Sequence, residues 1–288
     1  MPGPGATDRW LWARVPGAAA IVADPSIAID GALLDAAGPT LKVVSNFGVG
    51  YDNIDLEAAR ARGVRATNTP DVVTNSTAEL TVALMLAAAR RIAEADAFIR
   101  ADRWPAGGSQ QFLGRDLGGA TVGLIGFGRI GQRVAQRLEG FAVRLLVHAE
   151  PPPPALGAAR SCELAELLAA SDFVSLHVPL TPQTRHLIDA GALSLVKPGA
   201  ILVNTSRGGV VDTSALIAAL ASGRLAAAGL DVYEDEPDVP AQLRALPNTV
   251  LLPHIGSATV TTRNAMARLC AENVIAVLDG HRPPAPVV

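Results

Sequence analysis

A chain of 288 residues has the length of about two domains, and 49% apolar against 18% charged residues can bury a large aliphatic core, which excludes the disordered and low-complexity classes. Lys plus Arg is 24 and Asp plus Glu is 27, a net charge of −3 that argues against a phosphate-backbone partner and so against nucleic acid. The two cysteines, Cys162 and Cys270, lie far apart without metal-type spacing, which excludes a disulfide framework and fits a reducing, cytoplasmic compartment.

Met1 to Val15 reads as Pro/Gly-rich and irregular. Arg9 and Arg14 ahead of Val15 to Ala23 faintly resemble a signal peptide, but Pro16 and Gly17 interrupt the apolar part, so Ala19 to Ala23 is read as a buried strand. Leu41 to Ser45 reads as a strand and Asp55 to Arg62 as a helix. Ser76-Thr-Ala-Glu79 has capping-box spacing and predicts the start of a long Ala/Leu-rich helix running to about Arg100. Its longest uncharged run, Leu80 to Ala89, is ten residues, about half of the ~20 that a bilayer requires, so no membrane span is expected. Gly107 to Gly114 is loop-like and marks a candidate domain edge, with Trp104 beside it.

The second half is more regular. Strands are predicted at Thr121 to Ile125, Val143 to His148, Asp172 to His177, Ala200 to Asn204, Ala226 to Val232 and Thr249 to Leu252. Helices are predicted at Arg129 to Glu139, Glu163 to Ala170, Thr213 to Ser222 and Thr261 to Leu278. Pro151 to Pro154 reads as a stiff turn after a strand. Continuous apolar strands alternating with helices predict a parallel sheet covered on both faces. The last helix is expected to cross back to the first domain and make it discontinuous.

Gly126-Phe-Gly128-Arg-Ile-Gly131 follows a strand and opens a helix, the context that a dinucleotide turn requires. Gly126 permits the tight turn, Gly128 lets a pyrophosphate approach the backbone, and Gly131 lets helix and strand pack closely. The phosphates then meet helix N–H groups and the positive end of the dipole. Glu150 lies 19 residues after Gly131, where an acid holds the ribose hydroxyls of NAD. A carboxylate there repels a 2′-phosphate, and no Arg or Lys occurs between 145 and 159, so NAD is favoured over NADP. The bland reading makes Glu150 a solvated turn acid, with Ala149 in the key position.

A dinucleotide domain points to hydride transfer, which needs a proton donor and a cation for the substrate's anionic end. Arg207, Glu236 and His254 are the candidates. Arg207 in Asn204-Thr-Ser-Arg-Gly-Gly209 offers a bidentate guanidinium suited to a 2-oxo acid. Alone, each has a bland reading as a surface arginine, a solvated acid or a structural histidine. Together they are an acid–base pair and an anion clamp, all at strand exits. His148, His177, His186 (read as starting a helix) and His281 show no metal-ligand spacing, and both cysteines read as buried fillers in helical patterns.

Several ordered stretches resemble the D-isomer-specific 2-hydroxyacid dehydrogenases: Ser45-Asn-Phe-Gly-Val-Gly-Tyr-Asp-Asn-Ile-Asp55, the Gly126–Gly131 turn, His177-Val-Pro-Leu-Thr181, Asn204 to Gly209, Gly229-Leu-Asp-Val-Tyr233 with Glu236-Pro237, and Pro253-His-Ile-Gly-Ser-Ala-Thr259. Within that family the chain is most similar to the glyoxylate/hydroxypyruvate reductases. The resemblance implies two doubly wound, Rossmann-like α/β domains with a cleft between them. A substrate domain would span 1–90 plus 262–288, and a dinucleotide-binding domain 91–261. It implies reversible reduction of a 2-oxo acid to an (R)-2-hydroxy acid. Arg207 would bind the carboxylate and the carbonyl oxygen, His254 would give its proton to that oxygen, and Glu236 would pair with the imidazole and keep it protonated. Val49 and Gly50 would hold the carboxylate through their N–H groups. Phe127, Gly128, Arg129 and Ile130 would contact the pyrophosphate, Val178 and Pro179 would line the adenosine side, Thr205 and Asp231 would flank the nicotinamide, and His254 and Gly256 would be further cofactor contacts. Asp231 has a second reading, as a strand-end residue capping backbone. A homodimer is implied through a long helical arm; Trp104 either packs locally or reaches the partner's cleft. Against the family pattern a first strand–helix unit is missing, so the substrate domain is expected to be shortened at its N-terminus. The competing readings are a phosphoglycerate-, formate- or phosphite-type member, a non-catalytic NAD(H)-sensing protein, and an enzyme inactivated by the truncation. A phosphorylated substrate would want cations near Val49, where Lys42 is the closest.

Overall fold

The computed structural model describes residues 11–105, 107–108, 110–152 and 155–288. The expectations for residues 1–10 and for Pro153 and Pro154 lie outside them.

Residues up to Thr74 together with Ser257–Val288 form one compact unit, and Asn75–Gly256 form a second. In the first, strands β1 (Ala20–Ala23), β2 (Val43–Asn46) and β3 (Arg65–Thr67) make a parallel sheet in the order β1-β2-β3. Helix α1 (Gly31–Ala37) starts at Asp30 and α2 (Leu56–Ala61) at Asp55, and each aspartate accepts a hydrogen bond from an N–H three residues on, as N-caps do. The expected buried strand at Ala19 to Ala23 is half-buried: it is an edge strand, and Val22 is exposed while Ile21 and Ala23 face the core.

The second unit is organised around seven parallel strands. Helix α3 (Thr74–Ala89) is followed by α4 (Ile92–Arg100). Then come β4 (Thr121–Ile125), α5 (Arg129–Leu138), β5 (Arg144–His148), β6 (Arg160–Ser161), α6 (Leu164–Ala170) and β7 (Phe173–Leu176). After these follow α7 (Ala190–Leu195), β8 (Ala200–Asn204), α8 (Thr213–Ala221), β9 (Leu225–Leu230), α9 (Ala241–Ala245) and β10 (Thr249–Leu251). The strand order is β10-β9-β8-β7-β4-β5-β6. From β4 the chain runs outward through β5 and β6, then returns to β7 and runs the other way. The switch point therefore lies between β4 and β7, where doubly wound sheets bind ligands. β4, β7 and β8 are buried along their whole lengths, which is why they read as largely apolar stretches without polar alternation.

Helix α10 (Val260–Leu278) returns to the first unit and packs on β2 and β3. Asn273 on its buried face donates to the carbonyl of Asn68 and accepts from the N–H of Ala285, which seats the tail beside β3.

Several expectations are corrected. The capping box at Ser76 does not start the helix: α3 begins at Thr74, and Ser76 and Thr77 are buried within it. The helix does not run unbroken to Arg100. Arg91 adopts a left-handed conformation (φ +53°) and separates α3, whose Ala78, Leu84, Met85, Ala88 and Ala89 join the sheet core, from α4, which buries none of its residues. The division between the units consequently falls at the head of α3, not at residue 90, because that core owns the helix. Cys162 sits half-buried in the segment after β6 rather than in a helix, while Cys270 is buried in α10.

Candidate active site

The predicted site residues of the second unit all leave the C-terminal ends of its strands. The glycine turn follows β4, Glu150 follows β5, and Val178 and Pro179 follow β7. Thr205 and Arg207 follow β8, Asp231 and Glu236 follow β9, and His254 follows β10. Because β8, β9 and β10 are neighbours, the sheet lines up the arginine, the acid and the histidine along one edge.

At the turn, Gly126 has φ +91°, and a Cβ there would lie 2.7 Å from the backbone of His177. A Cβ on Gly131 would lie 2.5 Å from the Gly126 carbonyl oxygen. These two glycines are demanded by the fold. Gly128 differs: a Cβ there would meet nothing within 4 Å, and it starts α5 without a side-chain cap. That leaves open space in front of uncapped first-turn N–H groups, which fits a dinucleotide pyrophosphate. Gln132 braces the turn through a bond to the Phe127 carbonyl, 2.9 Å.

His177 is half-buried under this turn, with Nε2 3.0 Å from the buried Ser175 hydroxyl. Burial pushes its pKa down to about 4. Folding therefore favours the neutral ring, and as pH falls below the ordinary value of 6.5 the unfolded chain takes up the proton first. Stability is expected to decline between about pH 6.5 and 4. A shift of that size amounts to at most about 3–4 kcal/mol, and solvent at the half-buried ring lowers this to about 1–2 kcal/mol. Urea unfolding of the native chain and of His177→Gln, at about pH 7.5 and about pH 5, should show the extra loss in the native chain alone. Equal losses in both would refute it.

Glu236 and His254 form the central pair, with Oε2 2.7 Å from Nδ1. His254 is held at φ +52°, a strained conformation for a non-glycine residue and one that recurs at functional sites. Asp231 supplies the support. Its carbonyl accepts from the N–H of His254, and its two carboxylate oxygens accept from the N–H groups of Ile255 and Gly256, each at 2.7 Å. Burial pushes the Asp231 carboxyl up, with the two N–H donors opposing it. The backbone-capping reading of Asp231 thus has geometry behind it. Nε2 of His254 makes no hydrogen bond among the described residues, so the ring can present a proton outward.

Tyr233, to which the sequence assigned no role, joins the two loops. Its N–H donates to Glu236 Oε1 at 2.8 Å and its hydroxyl donates to the Leu252 carbonyl at 2.9 Å. Burial pushes its pKa up to about 12, so it stays a donor. Its spacing of three from Glu236 was the only available signal. Thr205 meets the hydroxyl of Thr81 at 2.8 Å, and Thr81 donates to the Thr77 carbonyl, so Thr205 is the donor between them. Arg207 donates from Nη1 to the Ser206 carbonyl, 2.9 Å. His186 does not start a helix: it lies in a turn at φ +50°, with its ring on Glu234.

In the first unit, Val49 and Gly50 lie in the loop after β2. Their carbonyls accept from the side-chain amides of Asn68 and Asn46, and their N–H groups have no partner among the described residues. Among the described residues, no group of three or more metal-ligating side chains occurs and no helix is long and apolar enough to cross a membrane.

A doubly wound sheet with a glycine turn at its switch point and an acid–base pair on the same edge defines a class, the dinucleotide-dependent α/β oxidoreductases. The NAD-binding domain of the D-isomer specific 2-hydroxyacid dehydrogenases matches residues 82–256. A glyoxylate reductase of Thermococcus onnurineus is 50% identical over 272 residues, covering 92% of this chain and 81% of that protein. Among solved structures, the TT0316 protein of Thermus thermophilus is 48% identical with a TM-score of 0.92, covering 100% of this chain and 91% of that one. The NADPH-dependent glyoxylate/hydroxypyruvate reductase of Sinorhizobium meliloti, in complex with NADP and malonate, is 40% identical with a TM-score of 0.87, covering 94% and 84%. The chain belongs to the D-isomer specific 2-hydroxyacid dehydrogenases, and its activity is that of an NAD(P)-dependent oxidoreductase of 2-hydroxy acids.

Proposed function

We propose that this enzyme reduces glyoxylate and hydroxypyruvate, with NADH preferred over NADPH. The observation that carries the reading is the Glu236–His254 pair, from the exits of β9 and β10, in line with Arg207 at the exit of β8. Identity of 50% with a glyoxylate reductase supports the substrate class.

The Gly126–Gly131 turn and the first-turn N–H groups of α5 would hold the pyrophosphate, with Phe127, Arg129 and Ile130 around it. Val178 and Pro179 would line the adenosine side and Thr205 and Asp231 would flank the nicotinamide, with Gly256 as a further cofactor contact. Bound in reduced form, the cofactor supplies the hydride. Arg207 binds the 2-oxo acid by its carboxylate and polarises the carbonyl oxygen. His254 gives the Nε2 proton to that oxygen, and Glu236, holding Nδ1–H, fixes the tautomer and compensates the charge. The N–H groups of Val49 and Gly50 suit a carboxylate.

Glu150, two residues past the end of β5, disfavours a 2′-phosphate, and Arg160 on the neighbouring strand is engaged by Glu166 at 2.6 Å. A homodimer is supported by α4 and the loop after it, where Ile92, Ile99, Trp104 and Leu113 are exposed. The free cysteines suit a reducing cytoplasm.

The test is oxidation of NADH and of NADPH with glyoxylate, hydroxypyruvate, pyruvate and phenylpyruvate. Highest kcat/KM with NADH and with glyoxylate or hydroxypyruvate is expected. Better turnover of phenylpyruvate, or an NADPH preference, would overturn the corresponding half of the reading.

A further inference from the structure

The loop after β9 carries three acids in close succession, and they have different fates. Glu236 meets His254, Asp235 is exposed, and Glu234 turns to a second imidazole. Glu234 Oε1 lies 2.6 Å from His186 Nε2, and Oε2 accepts from the Thr213 hydroxyl at 3.1 Å. Arg185 reaches Oε1 at 3.4 Å. One carboxylate thus joins the segment after β7, the start of α8 and the loop of Glu236.

The backbone reinforces this junction beside Arg207. His186 N–H donates to the Gly209 carbonyl at 2.8 Å, and Ile188 N–H to that of Val210 at 3.1 Å. Gly208 lies so close to the Tyr233–Glu234 peptide that a Cβ would come within 1.8 Å of the Tyr233 carbonyl carbon. The turn bearing Arg207 and the loop bearing Glu236 therefore lie face to face, and Glu234 with His186 closes them at one side. Burial pushes the Glu234 carboxyl up, but the bonds from His186 and Thr213 and the charges of His186 and Arg185 outweigh it. The carboxyl ends below the ordinary glutamate range and is ionised in this contact.

We propose that Glu234 is a positioning residue: with His186 it clamps the Glu236 loop onto the Arg207 turn, so that one support sets both the Glu236–His254 hydrogen bond and the placement of the arginine. The kinetic consequence rests on the function proposed above, because small displacements of a reacting pair cost about tenfold to a hundredfold in rate.

Glu234→Ala is expected to lower kcat for the 2-oxo acid at least about tenfold with the cofactor KM within about twofold of the parent. Glu234→Gln keeps one acceptor oxygen for His186 and turns its amide donor to the Thr213 hydroxyl, which can accept, and should recover most of that loss. In a Glu236→Gln background, Glu234→Ala should cost clearly less than in the parent, because the part of its effect that runs through the Glu236–His254 hydrogen bond is already lost and only the part through the Arg207 turn remains. His186→Asn tolerates the left-handed backbone but is too short to reach Glu234, and it should reproduce the loss; with Glu234→Gln it carries the test if Glu234→Ala does not fold. Amide hydrogen exchange over 231–238 should quicken at least about fivefold in Glu234→Ala and His186→Asn. Near-parental kcat in both variants, or losses that multiply with Glu236→Gln, would overturn the clamp. If the parent enzyme reduces none of the 2-oxo acids, the functional reading fails on its own. The exchange measurement then decides the clamp, and unchanged protection in both variants overturns it.

Discussion

His254→Gln is expected to lower kcat for 2-oxo acid reduction by about 10³–10⁴-fold while leaving cofactor binding within about threefold. The imidazole is the group at the end of β10 with a free outward nitrogen and a carboxylate on the inner one. Glutamine retains a polar side chain of similar reach but transfers no proton at neutral pH, so the substitution removes acid catalysis with little change in volume. The nucleotide turn lies at β4, three strands along the sheet from β9 and four from β10, and should not register the change. Stopped-flow reduction of glyoxylate, beside a fluorescence titration with NADH, separates the two quantities. A His254→Gln enzyme retaining a tenth of the parental kcat would assign the proton donor elsewhere.

Arg207→Lys is expected to lose about 10²–10³-fold in kcat/KM for the 2-oxo acid, nearly as much as Arg207→Ala. Lysine keeps the charge but cannot make two parallel bonds to a carboxylate and a carbonyl oxygen. The position gives it no room to compensate: Gly208 and Gly209 follow it, both buried, and Gly208 is pressed against the Tyr233 peptide. Added guanidinium should partly restore the alanine variant and leave the lysine variant unchanged. Steady-state kinetics with glyoxylate checks both, and a lysine enzyme within about threefold of the parent would reduce the arginine to a simple charge.

Much of the second unit is legible in the residues themselves. Thr121 to Ile125 and Ala200 to Asn204 are strands at the predicted bounds, because short, largely apolar stretches of five between turn residues suit a strand covered on both faces. The glycine turn is legible for a similar reason: the absence of Cβ at Gly126 and Gly131 is a local steric demand. Strands β3 and β6, of three and two residues, escape because so short a segment has no readable period. The break at Arg91 escapes because no proline or glycine marks it. It is held by the Glu94 ion pair and by Phe112, whose ring lies 5.2 Å from the guanidinium.

The parallel α/β plan, the dinucleotide turn and the strand exits from which Arg207, Glu236 and His254 project are written in short stretches of chain. All of these follow from local periodicity and backbone sterics, which a few adjacent residues carry. The pairing of charges is instead a product of the assembled fold. Glu234, Asp235 and Glu236 are near-equivalent acids in one acidic loop. Which one meets His254, which meets His186 and which stays in solvent depends on how the chain exits β9 against β8 and β10. The same holds for Tyr233 and Asp231, whose support of the His254 loop runs through backbone groups some twenty residues away in the chain. A hydrogen bond is won or lost within fractions of an ångström, and only the packed sheet fixes distances that finely.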